Sequence, residues 1–205
     1  EFAANVPNLS LVVTLGTPTP QLIVLFIHAI KTYNKYGKPI VFDPVAAGAT
    51  SARLQAFRKI LNSGQVSVIK GNLGKISAIY KITLVGSGQP IDNGATMRGV
   101  DSISLHISKE ALLKAMAVSE EFRCIVVVTG QINYVIDAAV GRIQSIKGGH
   151  RLMGEVTGTG CSLGSTIAAY LALGPKSQSF LQTYHALGNY NAPGFKASCV
   201  IKHVP

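Results

Sequence analysis

The chain has 205 residues, 19 Lys+Arg against 9 Asp+Glu, a formal net charge of +10, and is 47% hydrophobic but only 14% charged. That length and apolarity support a buried core without staples and exclude intrinsic disorder, while the sparse charge points to a surface that meets other protein, in an oligomer or as a fragment. The basic residues are scattered in twos and threes (Lys31/Lys35/Lys38, Arg53/Arg58/Lys59, Arg142/Lys147/Arg151) without aromatic interleaving, which argues against nucleic acid and suits a small anionic substrate.

Apolar runs alternate with helical patterns along the chain, as in a layered α/β fold with a parallel sheet. Leu9 to Leu15 reads as a buried strand closed by Gly16. Thr17 to Tyr36 reads as loop then helix, with Pro20 in the first turn, a stripe of Leu22, Leu25, Phe26 and Ile30, and Gly37 as its stop. Pro39 to Phe42 is a second strand ending on Asp43. Thr50 or Ser51 caps a helix to about Asn62.

Val66 to Lys70 is a third strand, followed by Gly71-Asn72 and a short helix to about Tyr80. Val85 to Val100 is Gly-rich and loop-like. Ser108 caps a helix to about Glu120, and Cys124 to Thr129 is the fourth strand. Tyr134–Ile136 and Arg142–Ile146 form an antiparallel hairpin around Asp137 to Gly141. Val156 to Cys161 then opens a helix from Ser162 to Leu173. A last helix, about Gln178 to Leu187, stops at Gly188 and precedes Asn191–Phe195 and a terminal strand.

Three cysteines (Cys124, Cys161, Cys199), far apart and odd in number, make neither a disulfide framework nor a zinc pair. No apolar run approaches the roughly 20 residues of a membrane span, and the N-terminus carries no secretion signal. The expectation is a soluble, cytoplasmic protein that binds no membrane.

In such sheets ligands bind beyond the carboxyl ends of the strands, where Asp43, Lys70-Gly71-Asn72 and Thr129-Gly130 lie. Gly158-Thr159-Gly160-Cys161 adds backbone amides and the positive end of a helix, a cradle for phosphate or a developing anion. It is neither a P-loop nor a dinucleotide fingerprint, and it reads equally as a tight turn with helix packing. Asp43 suits a magnesium-phosphate contact or a cap on the Pro44 turn. Cys161, at the head of a helix, is a proton acceptor or a packing residue. His150 lies in a loop nearby.

In order along the chain, Asp43-Pro44-Val45-Ala46-Ala47-Gly48-Ala49-Thr50, Ile69-Lys70-Gly71-Asn72, Val128-Thr129-Gly130, Gly149-His150 with Leu152-Met153, and Val156-Thr157-Gly158-Thr159-Gly160-Cys161 resemble the hydroxyethylthiazole kinase family. The kinase half of the eukaryotic bifunctional thiamine-biosynthesis enzymes is the nearest in appearance. The resemblance runs from about Leu9 to Phe195. It implies a three-layer α/β/α ribokinase-like fold, with a mostly parallel central sheet and helices on both faces. It also implies ATP-dependent phosphorylation of the hydroxyl of 4-methyl-5-(2-hydroxyethyl)thiazole with Mg²⁺, and a trimer with active sites between subunits, fused to or partnered with thiamine-phosphate synthase.

Carried over by position, Asp43 holds the metal-phosphate group, and Lys70, Asn72, Thr129, Gly130 and Thr159 lie by the nucleotide. Gly158 and Gly160 form the anion hole. Gly160 and Cys161 face the thiazole alcohol, Cys161 standing where related sugar kinases carry a catalytic Asp. Two departures stand out. Lys75 replaces the acidic residue that helps hold magnesium, and a cation there repels the metal or touches a phosphate instead. The family's N-terminal strand and much of its thiazole pocket have no counterpart before Glu1, so the chain reads as a single kinase-like domain, 1–205, lacking that part. A catalytically impaired assembly domain is the alternative these departures raise.

Overall fold

The computed structural model describes residues 2–86 and 107–201. The elements are α1 (Phe2–Asn5), β1 (Leu11–Thr14), α2 (Pro20–Lys35), β2 (Ile40–Asp43), α3 (Ser51–Leu61), β3 (Val68–Asn72) and α4 (Leu73–Gly86). After them come α5 (Lys109–Phe122), β4 (Ile125–Thr129), β5 (Ile132–Asp137), β6 (Arg142–Lys147), α6 (Thr159–Leu173) and α7 (Ser179–Ile201).

The six strands form one sheet in strict chain order. β1 to β4 run parallel, and β5 and β6 close the sheet as an antiparallel hairpin. Strand alternation sorts the core into two layers. Phe42, Ile69, Val126 and Val128 face α2 to α5, meeting Ile30, Phe57, Ile60, Ile79 and Val118. Val41, Val68, Ile125 and Val127 face α6 and α7, meeting Leu163, Ile167, Phe180 and Leu187. Burial on both sides explains why the central strands read as unbroken apolar runs. Phe42 of β2 and Phe57 of α3 lock one interface edge to face, with centroids 5.5 Å apart.

The helix starts follow the sequence signals closely. Thr19, Thr50 and Ser108 each accept a hydrogen bond from the backbone N–H three residues on. Four expectations need correction. In α2, Leu22 and Leu25 are exposed, and the inward stripe is Ile23, Phe26, Ile27, Ile30 and Tyr33; residues 22–27 are all apolar, so periodicity could not choose the face. α4 continues past Tyr80 to Gly86, which takes in Val85 and Gly86; residues 87–100 of the expected Gly-rich loop lie outside the described residues. α6 begins at Thr159 rather than Ser162.

The fourth correction is the largest. α7 runs without a stop through Gly188 and Pro193 to Ile201, so there is no terminal strand there, and Cys199 sits exposed on a helix. The buried stripe of Phe180, Thr183, Ala186, Leu187 and Asn191 anchors the helix and outweighs roughly 1 kcal/mol for the glycine and 3 for the proline. Among the described residues, no helix is long and apolar enough to cross a membrane.

Cys124, at the head of β4, is buried, and desolvation pushes its thiol far above its ordinary 9.0. The unfolded chain therefore releases this proton where the fold retains it. Stability is full below pH 9 and falls as pH rises above it, by up to about 1.4 kcal/mol per pH unit. Cys124→Val is expected to flatten that alkaline loss, measured as denaturant unfolding free energies at about pH 8 and pH 10.

Candidate functional site

The parallel register brings the polar strand ends to one edge. Thr14 of β1 is opposite Asp43 of β2, and Asn72 of β3 is opposite Thr129 of β4. Period-two alternation puts Asp43, Lys70 and Thr129 on the same side as Val41, Val68 and Val127, which is the α6 side. The first turn of α6 meets them there.

At the centre is one carboxylate between two ammonium groups. Lys70 Nζ lies 2.7 Å from Asp43 Oδ2, and Lys75 Nζ lies 2.8 Å from Oδ1. The Asp43 and Lys70 side chains are 1% and 2% exposed, and that of Lys75 is 10% exposed. The contact to Oδ2 is an ion pair without hydrogen-bond alignment, whereas Lys75 donates a true hydrogen bond to Oδ1. Burial lowers the pKa of Lys70; the negative charge of Asp43 works in the opposite direction but does not cancel that effect.

Local sequence fixes this arrangement. Asn72 Oδ1 accepts from the backbone N–H of Lys75, which caps the start of α4 and aims the lysine back over the sheet. A Cβ on Gly71 would come within 2.7 Å of Lys75 Cβ, so only glycine lets the lysine stem cross the end of β3. Lys70 Nζ also donates to the Gly160 carbonyl at 2.5 Å. One ammonium thus joins the strand end at Asp43 to the head of α6.

At that head, Gly158 is the N-cap with φ +97, and no side chain caps the helix. The amides of Thr159, Gly160 and Cys161 are the ones a helix leaves without internal acceptors. Gly158, Gly160 and Cys161 are exposed, so this turn is open above the charged trio. Gly158→Ala has open space for its methyl group but must hold a left-handed backbone, at a cost of about 1–2 kcal/mol. The variant is expected to melt lower, as read by thermal melts.

The other expected residues have these places. The Thr159 hydroxyl donates to the carbonyls of Met153 and Val156 and so braces the turn. Thr129 is half-buried at the end of β4, and the Gly130 N–H donates to Asn133 Oδ1. His150 accepts from the Leu152 N–H through Nδ1, capping a short 3₁₀ turn. A hollow of about 360 Å³ lined by Asn62, Gln65, Phe122 and Arg123 lies at the opposite, amino end of β3 and β4.

Three contacts at the site carry no signal in the sequence. Lys75 is the second counter-ion of Asp43. Tyr190 of α7 donates its hydroxyl to the Thr159 carbonyl at 2.7 Å, holding the α6 turn from the side. Arg53, capped into α3 by Thr50, donates through Nη1 to the Gly16 and Val45 carbonyls and ties together the loops after β1 and β2.

The magnesium implied by the resemblance can be tested against these donors. Mg²⁺ takes oxygen ligands in octahedral geometry. Here both oxygens of the one carboxylate already face ammonium groups, and among the described residues no group of three His, Cys, Asp or Glu could hold a metal. The residues present do not fit a divalent ion at Asp43.

The family model described as "Hydroxyethylthiazole kinase family" matches residues 1–202. This chain belongs to that family. The hydroxyethylthiazole kinase of Pyrococcus furiosus is 42% identical over 164 residues, 80% of this chain and 56% of that protein. The one from Thermoanaerobacter pseudethanolicus is 35% identical over 189 residues, 92% of this chain and 65% of that protein. The solved hydroxyethylthiazole kinase protein from Pyrococcus horikoshii OT3 superposes with a TM-score of 0.65 at 32% identity, over 84% of this chain and 58% of that one. Escherichia coli phosphofructokinase-2 shares the fold alone, with a TM-score of 0.55 at 15% identity over 90% of this chain and 51% of that one. The three-layer, ribokinase-like architecture is therefore common ground. The chain spans between a little over half and just under two thirds of the length of these relatives.

Proposed function

We propose that the protein phosphorylates the hydroxyl of 4-methyl-5-(2-hydroxyethyl)thiazole with ATP, in thiamine biosynthesis and salvage, and that this chain carries the phosphate side of the site. The observation that supports this best is the Lys70 ammonium, which holds Asp43 and Gly160 together and so sets the strand-end charges beneath the amides of α6. Phosphoryl transfer needs positioning and charge neutralisation more than covalent chemistry. ATP supplies the phosphoryl group. The amides of Thr159, Gly160 and Cys161 and the helix dipole stabilise it in flight, with Gly158 and Gly160 shaping the hole.

Lys70 and Lys75 contribute positive charge from below. Asn72, Thr129 and Gly130 border the nucleotide along the strand ends, and Cys161 stands next to the acceptor alcohol. The same reading gives a cytoplasmic homo-oligomer, a trimer with sites shared between copies; exposed Leu22, Val24 and Leu25 on α2 support such a contact. The family's magnesium would have to be held by residues other than Asp43.

The test is a product assay with ATP and the thiazole alcohol. Thiazole phosphate is the expected product. The pairing of Lys75 with Asp43 favours one second reading, a kinase-like assembly domain without turnover. ATP binding without any phosphate transfer would establish that reading instead.

A further inference from the structure

We propose that Lys75 stands in for a divalent cation beside Asp43, so that this chain grips the polyphosphate tail of a nucleotide without a metal ion. The proposal rests on the reading of this sheet edge as a nucleotide site. One carboxylate and two ammonium groups give the trio a net charge of +1, the same charge a single carboxylate holding a divalent cation would present to phosphate.

Lys75 has three N–H donors and spends one of them on Asp43. It is the least buried of the trio and lies at the same strand edge as the open amides of α6, joined to them through Lys70 and Gly160. Its position is built in, since Gly71 clears its stem and Asn72 caps its helix turn. A divalent ion approaching Asp43 would have to displace an ammonium from either oxygen and then sit against both positive charges. A phosphate oxygen can take hydrogen bonds from the remaining N–H groups of Lys75 without displacing its bond to Asp43.

Two measurements on the intact chain test this. The first is calorimetric titration with ATP in EDTA and in excess Mg²⁺. The second is water-proton relaxation with Mn²⁺ alone, which reads metal on the protein without nucleotide or turnover. The wild type is expected to bind ATP within about two-fold under both conditions and to hold no Mn²⁺. Lys75→Glu is expected to bind Mn²⁺ and to bind ATP at least about ten-fold more weakly in EDTA than in Mg²⁺.

Lys75→Gln keeps the Asp43–Lys70 pair neutral and covers the case where the glutamate variant misfolds. It is expected to lose affinity for ATP in EDTA by a similar factor. Mn²⁺ bound to the wild type, or ATP binding that EDTA abolishes and Mg²⁺ restores, overturns the proposal and leaves the kinase reading standing. Absence of ATP binding under either condition overturns both.

Discussion

Asp43→Ala is expected to lose about 3–5 kcal/mol of folding stability, the usual cost of removing one partner from a buried ion pair. Among the described residues no other carboxylate pairs with the Lys70 and Lys75 ammonium groups, and both side chains are at least nine-tenths buried. The variant would leave two like charges facing each other where water enters poorly. Set against a typical 5–15 kcal/mol for a whole domain, that loss is large enough to move a urea midpoint far.

A control separates charge from packing. Asp43→Leu combined with Lys70→Met and Lys75→Met replaces the trio by apolar groups of similar size, and such replacements are commonly neutral or stabilising. The triple variant is expected to unfold near the wild-type midpoint while losing ATP binding. Inorganic phosphate should raise the melting temperature of Asp43→Ala more than that of the wild type, because an anion can occupy the place of the lost carboxylate. Wild-type stability in Asp43→Ala would mean that the two lysines do not depend on this carboxylate.

How much of this was legible beforehand depended on the range of the signal. Helix caps are four-residue patterns: the sequence singles out Ser108, and it narrows the cap of α3 to Thr50 or Ser51, of which Thr50 serves. The gathering of Asp43, Lys70 and Thr129 at one edge follows from their places at the carboxyl ends of parallel strands. The contact of Lys75 with Asp43 spans 32 residues and two elements, and it depends on a missing Cβ at Gly71; no local pattern encodes it. Tyr190 and Arg53 act on backbone carbonyls, which carry no sequence signature. Gly188 and Pro193 are local stop signals in α7, while the burial that overrides them comes from α6, β5 and β6.

Lys70→Ala is expected to lower turnover about 100- to 1,000-fold, the range seen when one preorganised donor at a developing charge is removed. Lys70 touches both halves of the site, so its loss uncouples Gly160 from Asp43 as well as removing a charge. The drop should fall mainly on kcat, because the charge acts on the phosphoryl in flight more than on bound ATP. Stability should fall less than in Asp43→Ala, because Lys75 remains as counter-ion and only one carbonyl loses its donor. Lys70→Arg is not expected to rescue, since a planar fork does not fit a position 1% exposed that holds one ammonium between two acceptors.

The pH profile supplies the discriminating readout. Burial lowers Lys70 below its ordinary 10.5, and the protonated form is the one that donates, so activity should fall as pH rises through that lowered value. This alkaline limb should lie below pH 10.5 in the wild type and be missing from the residual activity of Lys70→Ala. Undiminished turnover in Lys70→Ala, or an alkaline limb unchanged by it, would take the bridge between Asp43 and α6 out of the reaction and leave it a packing device.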